Sequence, residues 1–153
     1  LFFRGKAIIQ LKPLGGYIVS SFLKFIARLL FAALFIVSGI GKLLDPASVE
    51  SYMASKGLMY TQPLLYISAL LEIVGGLFLL VGLWPRVVAT LLTVFLFIVT
   101  FKMHNFWAVP ASESGKEMVD FLQNLGILGG LLYIIATGGG AFGMTKEPKN
   151  RQK

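Results

Sequence analysis

The stretch Leu64–Leu83, LLYISALLEIVGGLFLLVGL, constrains the fold more than any other, because its twenty residues carry a single charge, Glu72. A helix of that length measures about 30 Å at about 1.5 Å per residue, the thickness of a bilayer's hydrocarbon core. Glu72 falls near the midpoint, where a charge costs on the order of 3 kcal/mol on insertion scales. The carboxyl group must therefore face protein or water. The remaining spans are expected to shelter it.

Composition agrees with a membrane setting. The chain is 56% hydrophobic and 14% charged, whereas soluble domains carry about 25% charged residues. One compact integral membrane unit is expected. The net charge of +7 gathers at the two ends, as in segments lying against anionic lipid. The expected partner is thus the bilayer and not nucleic acid. The absence of cysteine excludes disulfides, thiolate metal sites and Fe–S ligation.

Residues 1–24 read as a basic cytoplasmic lead-in, with Pro13-Leu14-Gly15-Gly16 expected to break any long helix there. No small-residue cleavage site follows a short apolar core, so a cleaved secretory signal is not expected. The first span is expected over 25–44. Arg28 should snorkel to the interface from its first turns, and Ser38, Gly39 and Gly41 should admit a close neighbour. Asp45-Pro46 stops this helix, and Ser48–Gln62 reads as a polar loop with a short helical signal of its own. The second span is expected over 64–83, and Trp84-Pro85-Arg86 makes so tight a turn that the third, over 87–104, must be its antiparallel neighbour. Pro110–Lys116 reads as a loop, the fourth span as 118–142, and 144–153 as a basic cytoplasmic tail.

The resulting fold class is all-α, an integral membrane four-helix antiparallel bundle, and four spans bring both termini to one side. That side and the 84–86 turn carry Arg4, Lys6, Lys12, Lys24, Arg28, Arg86, Lys146, Lys149, Arg151 and Lys153. The other side carries only Lys42, Lys56, Lys102 and Lys116. The positive-inside rule places both termini in the cytoplasm.

With this topology, each span contributes polar groups to the outer half of the bundle: Lys42, Glu72, His104 with Thr100 a turn deeper, and Gln123 with Asn124. Facing helices of bundles commonly build ligand sites this way. Glu72 has two readings. It is a proton acceptor or hydrogen-bond partner for a quinone-type head group, or it is a paired carboxyl that ties helices together. Lys42 and His104 are its candidate partners. His104, the only histidine, argues against bis-histidine haem and multi-histidine metal centres, so no metal is expected. It suits proton shuttling or a bond to a carbonyl ligand, and equally an interfacial role beside Phe106 and Trp107. Gln123 and Asn124 suit interhelical hydrogen bonds as well as ligand contact. Gly75-Gly76 and Gly138–Gly140 follow no strand and fit no nucleotide-binding pattern.

Four segments in order, RLLFAALFIVSGIGKLLDP, LLEIVGGLFLLVGLWPR, FKMHNFW and FLQNLGILGGLLY, resemble the DoxX family of small bacterial membrane proteins, from about Lys24 to Gly143. The positions matching its pattern are Arg28, Gly39, Lys42, Glu72, Gly76, Gly82, His104 and Asn124. The resemblance implies a four-helix bundle in the bacterial inner membrane. The family takes its name from a subunit associated with thiosulfate:quinone oxidoreductase, and other members are linked to redox membrane complexes. It therefore implies a redox-associated subunit with a polar pocket formed by Glu72, His104, Lys42, Asn124, Gln123 and Arg28. A quinone is the cofactor it admits, and any oxidoreductase activity would be exercised with a partner protein or in an oligomer. Against this stand a non-catalytic scaffold or assembly subunit, whose buried polar layer only fixes packing, and a small transporter or proton pathway. No inverted repeat supports the last.

Overall fold

A computed structural model of the chain describes residues 14–145, with side chains from residue 19 onward. The outlying parts of the N-terminal lead-in and of the basic tail, from Arg4 to Lys12 and from Lys146 to Lys153, lie outside the described residues. Five α-helices follow in order: α1 Leu14–Leu44, α2 Pro46–Ser55, α3 Thr61–Val81, α4 Pro85–Met103 and α5 Ala111–Thr137. A single 3-10 turn, Phe106–Ala108, joins α4 to α5. Among the described residues there is no strand. The helices α1, α3, α4 and α5 are each long and apolar enough to cross a membrane. They form the expected four-helix bundle, with large apolar side chains such as Val37, Ile67, Leu70, Val94, Ile98 and Leu132 exposed around its outside. Trp84 and Trp107, at opposite ends of α4, are also exposed, as tryptophans at the two interfaces of a bilayer would be.

Three helix boundaries differ most from the sequence reading. Helix α1 begins at Leu14, not near residue 25. Glycines at 15 and 16 cost about 1 kcal/mol each against alanine, but the long apolar run behind them propagates the helix back through them. Helix α5 begins at Ala111, not at Met118. Pro110 stands in extended backbone, its carbonyl accepts from the amides of Glu113 and Ser114 at 2.9 and 3.0 Å, and Glu113 complements the helix dipole from the first turn. At its other end α5 stops at Thr137, short of 142, where Gly138 turns the chain with a positive φ.

The tightest seam lies between α1 and α3. A Cβ added to Gly39 would lie 2.9 Å from the Ala69 carbonyl, and one added to Gly76 would lie 3.0 Å from the Ala32 carbonyl. Each helix thus contributes one Ala and one Gly seven residues apart, and the two backbones nearly touch. Phe31 of α1 packs on Gly130 of α5 and Leu92 of α4 on Gly75 of α3, which closes the bundle. Gly41, Gly126 and Gly129 face open space instead.

The bundle's two ends differ. Nearest the termini the core is solid: Ala32, Phe35, Leu79, Ala89, Leu92 and Leu131 fill it. Val81 and Gly82 close α3 there in a Schellman turn, with Leu83 bonded to the Phe78 carbonyl at 2.9 Å. Residues 138–145 strap this end, their Met144 and Thr145 amides bonding the carbonyls of Val81 and Gly82. At the opposite end, α2 lies over the bundle as a roof, with Met53 packed on Leu65 and Met103. Asp45 caps α2 by accepting from the Ser48 amide at 3.2 Å, and Pro46 begins it. Between roof and solid core the bundle is hollow.

Candidate functional site

That hollow is a cavity of about 440 Å³, within the range of small-molecule sites. Apolar residues of all five helices line it, among them Leu34 and Ile67, which are also exposed on the bundle's outer surface. Four of the residues singled out from sequence meet on its wall: Lys42, Glu72, His104 and Asn124.

Glu72 is buried in mid-α3 and its Oε2 accepts from Lys42 Nζ at 2.5 Å. The partner left open between Lys42 and His104 is therefore Lys42. Lys42 Nζ also donates to Ser38 Oγ at 2.9 Å, one turn back on α1. These bonds use two of the three donors of an ammonium, and Lys42, at the cavity wall, keeps a third for a ligand. The pair spans the α1–α3 seam just beyond Gly39, where the close approach of the backbones brings a lysine stem and a mid-helix carboxylate into reach.

A second acid is more buried in partners. Glu117 of α5 accepts from Lys56 Nζ at 2.7 Å and from the Tyr52 hydroxyl at 3.0 Å, both through Oε1, while His104 Nδ1 lies 3.0 Å from Oε2. Lys56 is itself only 8% exposed in its side chain. Facing an ionised carboxylate, Nδ1 carries the ring proton, which leaves Nε2 of His104 as an acceptor for a ligand. Tyr52 stands in α2, outside the spanning helices. Burial pushes its phenol well above the ordinary tyrosine value, and the carboxylates of Glu117, Asp120 and Glu113 add to the shift. An edge-to-face cluster of Phe101, Phe106, Trp107 and Phe121 holds the 3-10 turn on α5 one helical turn from Glu117.

Glu117, Lys56 and Tyr52 do not emerge from the sequence reading. Glu117 falls between the loop expected over 110–116 and the span expected from 118, and only the start of α5 at Ala111 places it on the face that carries Phe121. Two expected site residues stand apart from the cavity. Gln123 is exposed on the surface of α5, since neighbouring helix residues point about 100° apart and Asn124 takes the inward position. Arg28 lies at the strapped end, about 20 Å along α1 from Lys42. It does not snorkel: it is 1% exposed, donates from Nη2 to the Phe142 carbonyl at 2.7 Å, and packs against Gly82 and Gly143.

Residues 23–105 match the DoxX family profile. The chain is 34% identical over 122 residues to the inner membrane protein YqjF of Escherichia coli, covering 79% of this chain and 88% of that protein. It is 26% identical to the inner membrane protein YphA of the same organism, over 80% and 87% of the two chains. A Surfeit locus protein 4 homolog of Schizosaccharomyces pombe is 30% identical over 95 residues, 61% of this chain but 30% of that protein. No solved structure matches the chain significantly.

Proposed function

The chain belongs to the DoxX family, and from that premise we propose that it is a redox-associated subunit of the bacterial inner membrane whose cavity takes the head group of a quinone or quinol. The observation that carries this reading is a cavity walled by apolar side chains and bearing a few convergent polar groups: Lys42, Glu72, His104 and Asn124. An isoprenoid-type tail suits a cavity whose lining reaches the exposed outer face at Leu34 and Ile67. The head group needs one donor for a carbonyl and one acceptor for a hydroxyl. The spare Lys42 proton and the Asn124 amide supply the first, and His104 Nε2 the second. Glu117 holds the imidazole in that tautomer from behind, as carboxylates do for catalytic histidines. By the distribution of Lys and Arg, the termini would be cytoplasmic and the roof helix α2 would face outward. Electron transfer would proceed with a partner protein.

The scaffold reading draws on one specific observation, that both buried acids already hold cations. One experiment separates the two. Purified in detergent, the protein is analysed for copurifying quinones and titrated with a short-chain quinone, beside Glu72→Gln. Saturable binding that Glu72→Gln weakens at least tenfold while the variant stays folded, with a stability loss no larger than about 2 kcal/mol, supports the quinone site. Equal behaviour of both proteins, with Glu72→Leu as stable as wild type, selects the scaffold.

A further inference from the structure

Three ligand-type atoms converge where α4, the 3-10 turn and α5 meet under the roof. They are His104 Nδ1, one oxygen of Glu117 and one of Asp120, all within 4.8 Å of one another. Nδ1 lies 3.0 Å from Glu117 Oε2 and 3.9 Å from Asp120 Oδ2. Donors about 2.1 Å from a tetrahedral ion are separated by about 3.4 Å, so the observed distances bracket what such an ion would require. The scaffold is firm on both sides. Glu117 and Asp120 share one face of α5 at i and i+3, and His104 caps α4 with its amide on the Thr100 carbonyl at 3.1 Å.

Two features mark the cluster as more than a salt bridge. Lys56 bonds Glu117 through Oε1, and the Tyr52 hydroxyl lies 3.0 Å from Oε1 and 3.3 Å from Oε2, so Oε2, on the His104 side, can turn to an ion while both partners keep Oε1. The neighbourhood is also acidic, since Glu113, Glu117 and Asp120 all act on the Tyr52 phenol while the buried cation there is Lys56. Asp120, whose side chain is 34% exposed, provides a way in from the aqueous side. We infer that His104, Glu117 and Asp120 form a binding site for one transition-metal dication of the Zn²⁺ or Mn²⁺ class. One imidazole and two carboxylates suit such ions and leave a coordination position open. The ion takes Nδ1 in place of the ring proton, which moves to Nε2, so with the ion bound His104 turns a donor and not an acceptor to the cavity. The site rests on the three converging ligand atoms and not on the quinone reading.

The test uses the whole chain in detergent, treated with a chelator and titrated with Co²⁺ as a visible reporter. One equivalent should bind with d–d absorption bands and be displaced by Zn²⁺. Asp120→Asn should weaken binding by about tenfold or more, Gln123→Ala should leave it unchanged, and Lys56→Met, by removing a competing positive charge, should tighten it. Absence of saturable binding overturns the site. So does binding that neither Asp120→Asn nor Lys56→Met alters; if either of these two variants fails to fold, the other decides.

Discussion

Glu72 and Glu117 are two buried acids at the same end of one bundle, and they are held in opposite ways. Glu72 sits in the middle of an apolar helix with one cation, which a neighbouring serine steadies. Glu117 sits in the second turn of a helix with polar first turns, and a lysine and a phenol from α2 and its C-cap and an imidazole from the end of α4 converge on it. The first lies on the cavity wall; the second is absent from its lining. A carboxylate held by a single cation exchanges it for a ligand more readily than one held by three partners, which fixes the geometry of the groups around it. Glu72 is thus suited to meet a ligand, and Glu117 to hold the roof and aim His104.

The largest effect expected from breaking this contrast is at Glu117. Glu117→Ala leaves Lys56 buried without its countercharge, which costs about 3–5 kcal/mol. Chemical unfolding of the purified protein in detergent should show it, and a loss under 1 kcal/mol would remove Glu117 from the role of clamp. At Glu72 the corresponding stability change should be smaller. Glu72→Gln keeps an acceptor for Lys42, whose side chain is 23% exposed, so a loss of about 1–2 kcal/mol is expected. The double variant Lys42→Met/Glu72→Leu should come back to within about 1 kcal/mol of wild type. Recovery there without recovery of quinone binding would show that the pair serves a ligand and not the fold. A double variant much weaker than either single would contradict it.

How visible each acid is in the sequence follows from the same contrast. Glu72 stands out because hydrocarbon surrounds it on both sides, and an isolated charge at mid-span needs an explanation. The four spans, the tight 84–86 turn and the small residue at Gly39 are legible for the same reason, as departures from or confirmations of one apolar pattern. Glu117 is camouflaged by Ser112, Glu113, Ser114, Gly115 and Lys116, which read as loop although Pro110 starts a helix through them. Its partners Tyr52 and Lys56 come from a short helix and its C-cap, far away in sequence, and no periodicity points from one to the other. Arg28 misleads for a related reason. A basic residue near a span's end is ordinarily solvated, and only the folding of residues 138–145 back over α1 buries it.

His104 connects the two acids, lying on the cavity wall while bonded to Glu117. His104→Phe preserves an aromatic body but removes both ring nitrogens. It should weaken quinone binding by about tenfold, one hydrogen bond's worth, while costing less stability than Glu117→Ala because Lys56 and Tyr52 remain on the carboxylate. A loss of stability equal to that of Glu117→Ala would mean that the imidazole, not the lysine, is the main tie.

The smallest effect concerns Tyr52, and its sign can be worked out. The folded state holds the phenol protonated above its ordinary value of about 10. Its contribution to stability is therefore fully present below pH 10. It is lost as pH rises from there toward the folded value, because the unfolded chain releases that proton first. Tyr52→Phe should cost about 1 kcal/mol at neutral pH through the lost bond to Glu117. It should also flatten the decline in stability at alkaline pH, so that the two proteins converge as pH rises. Parallel unfolding curves across that interval would show that the phenol is not held by the Glu117 cluster, and the roof would then owe its seat to Lys56 and the Met53–Leu65–Met103 contact alone.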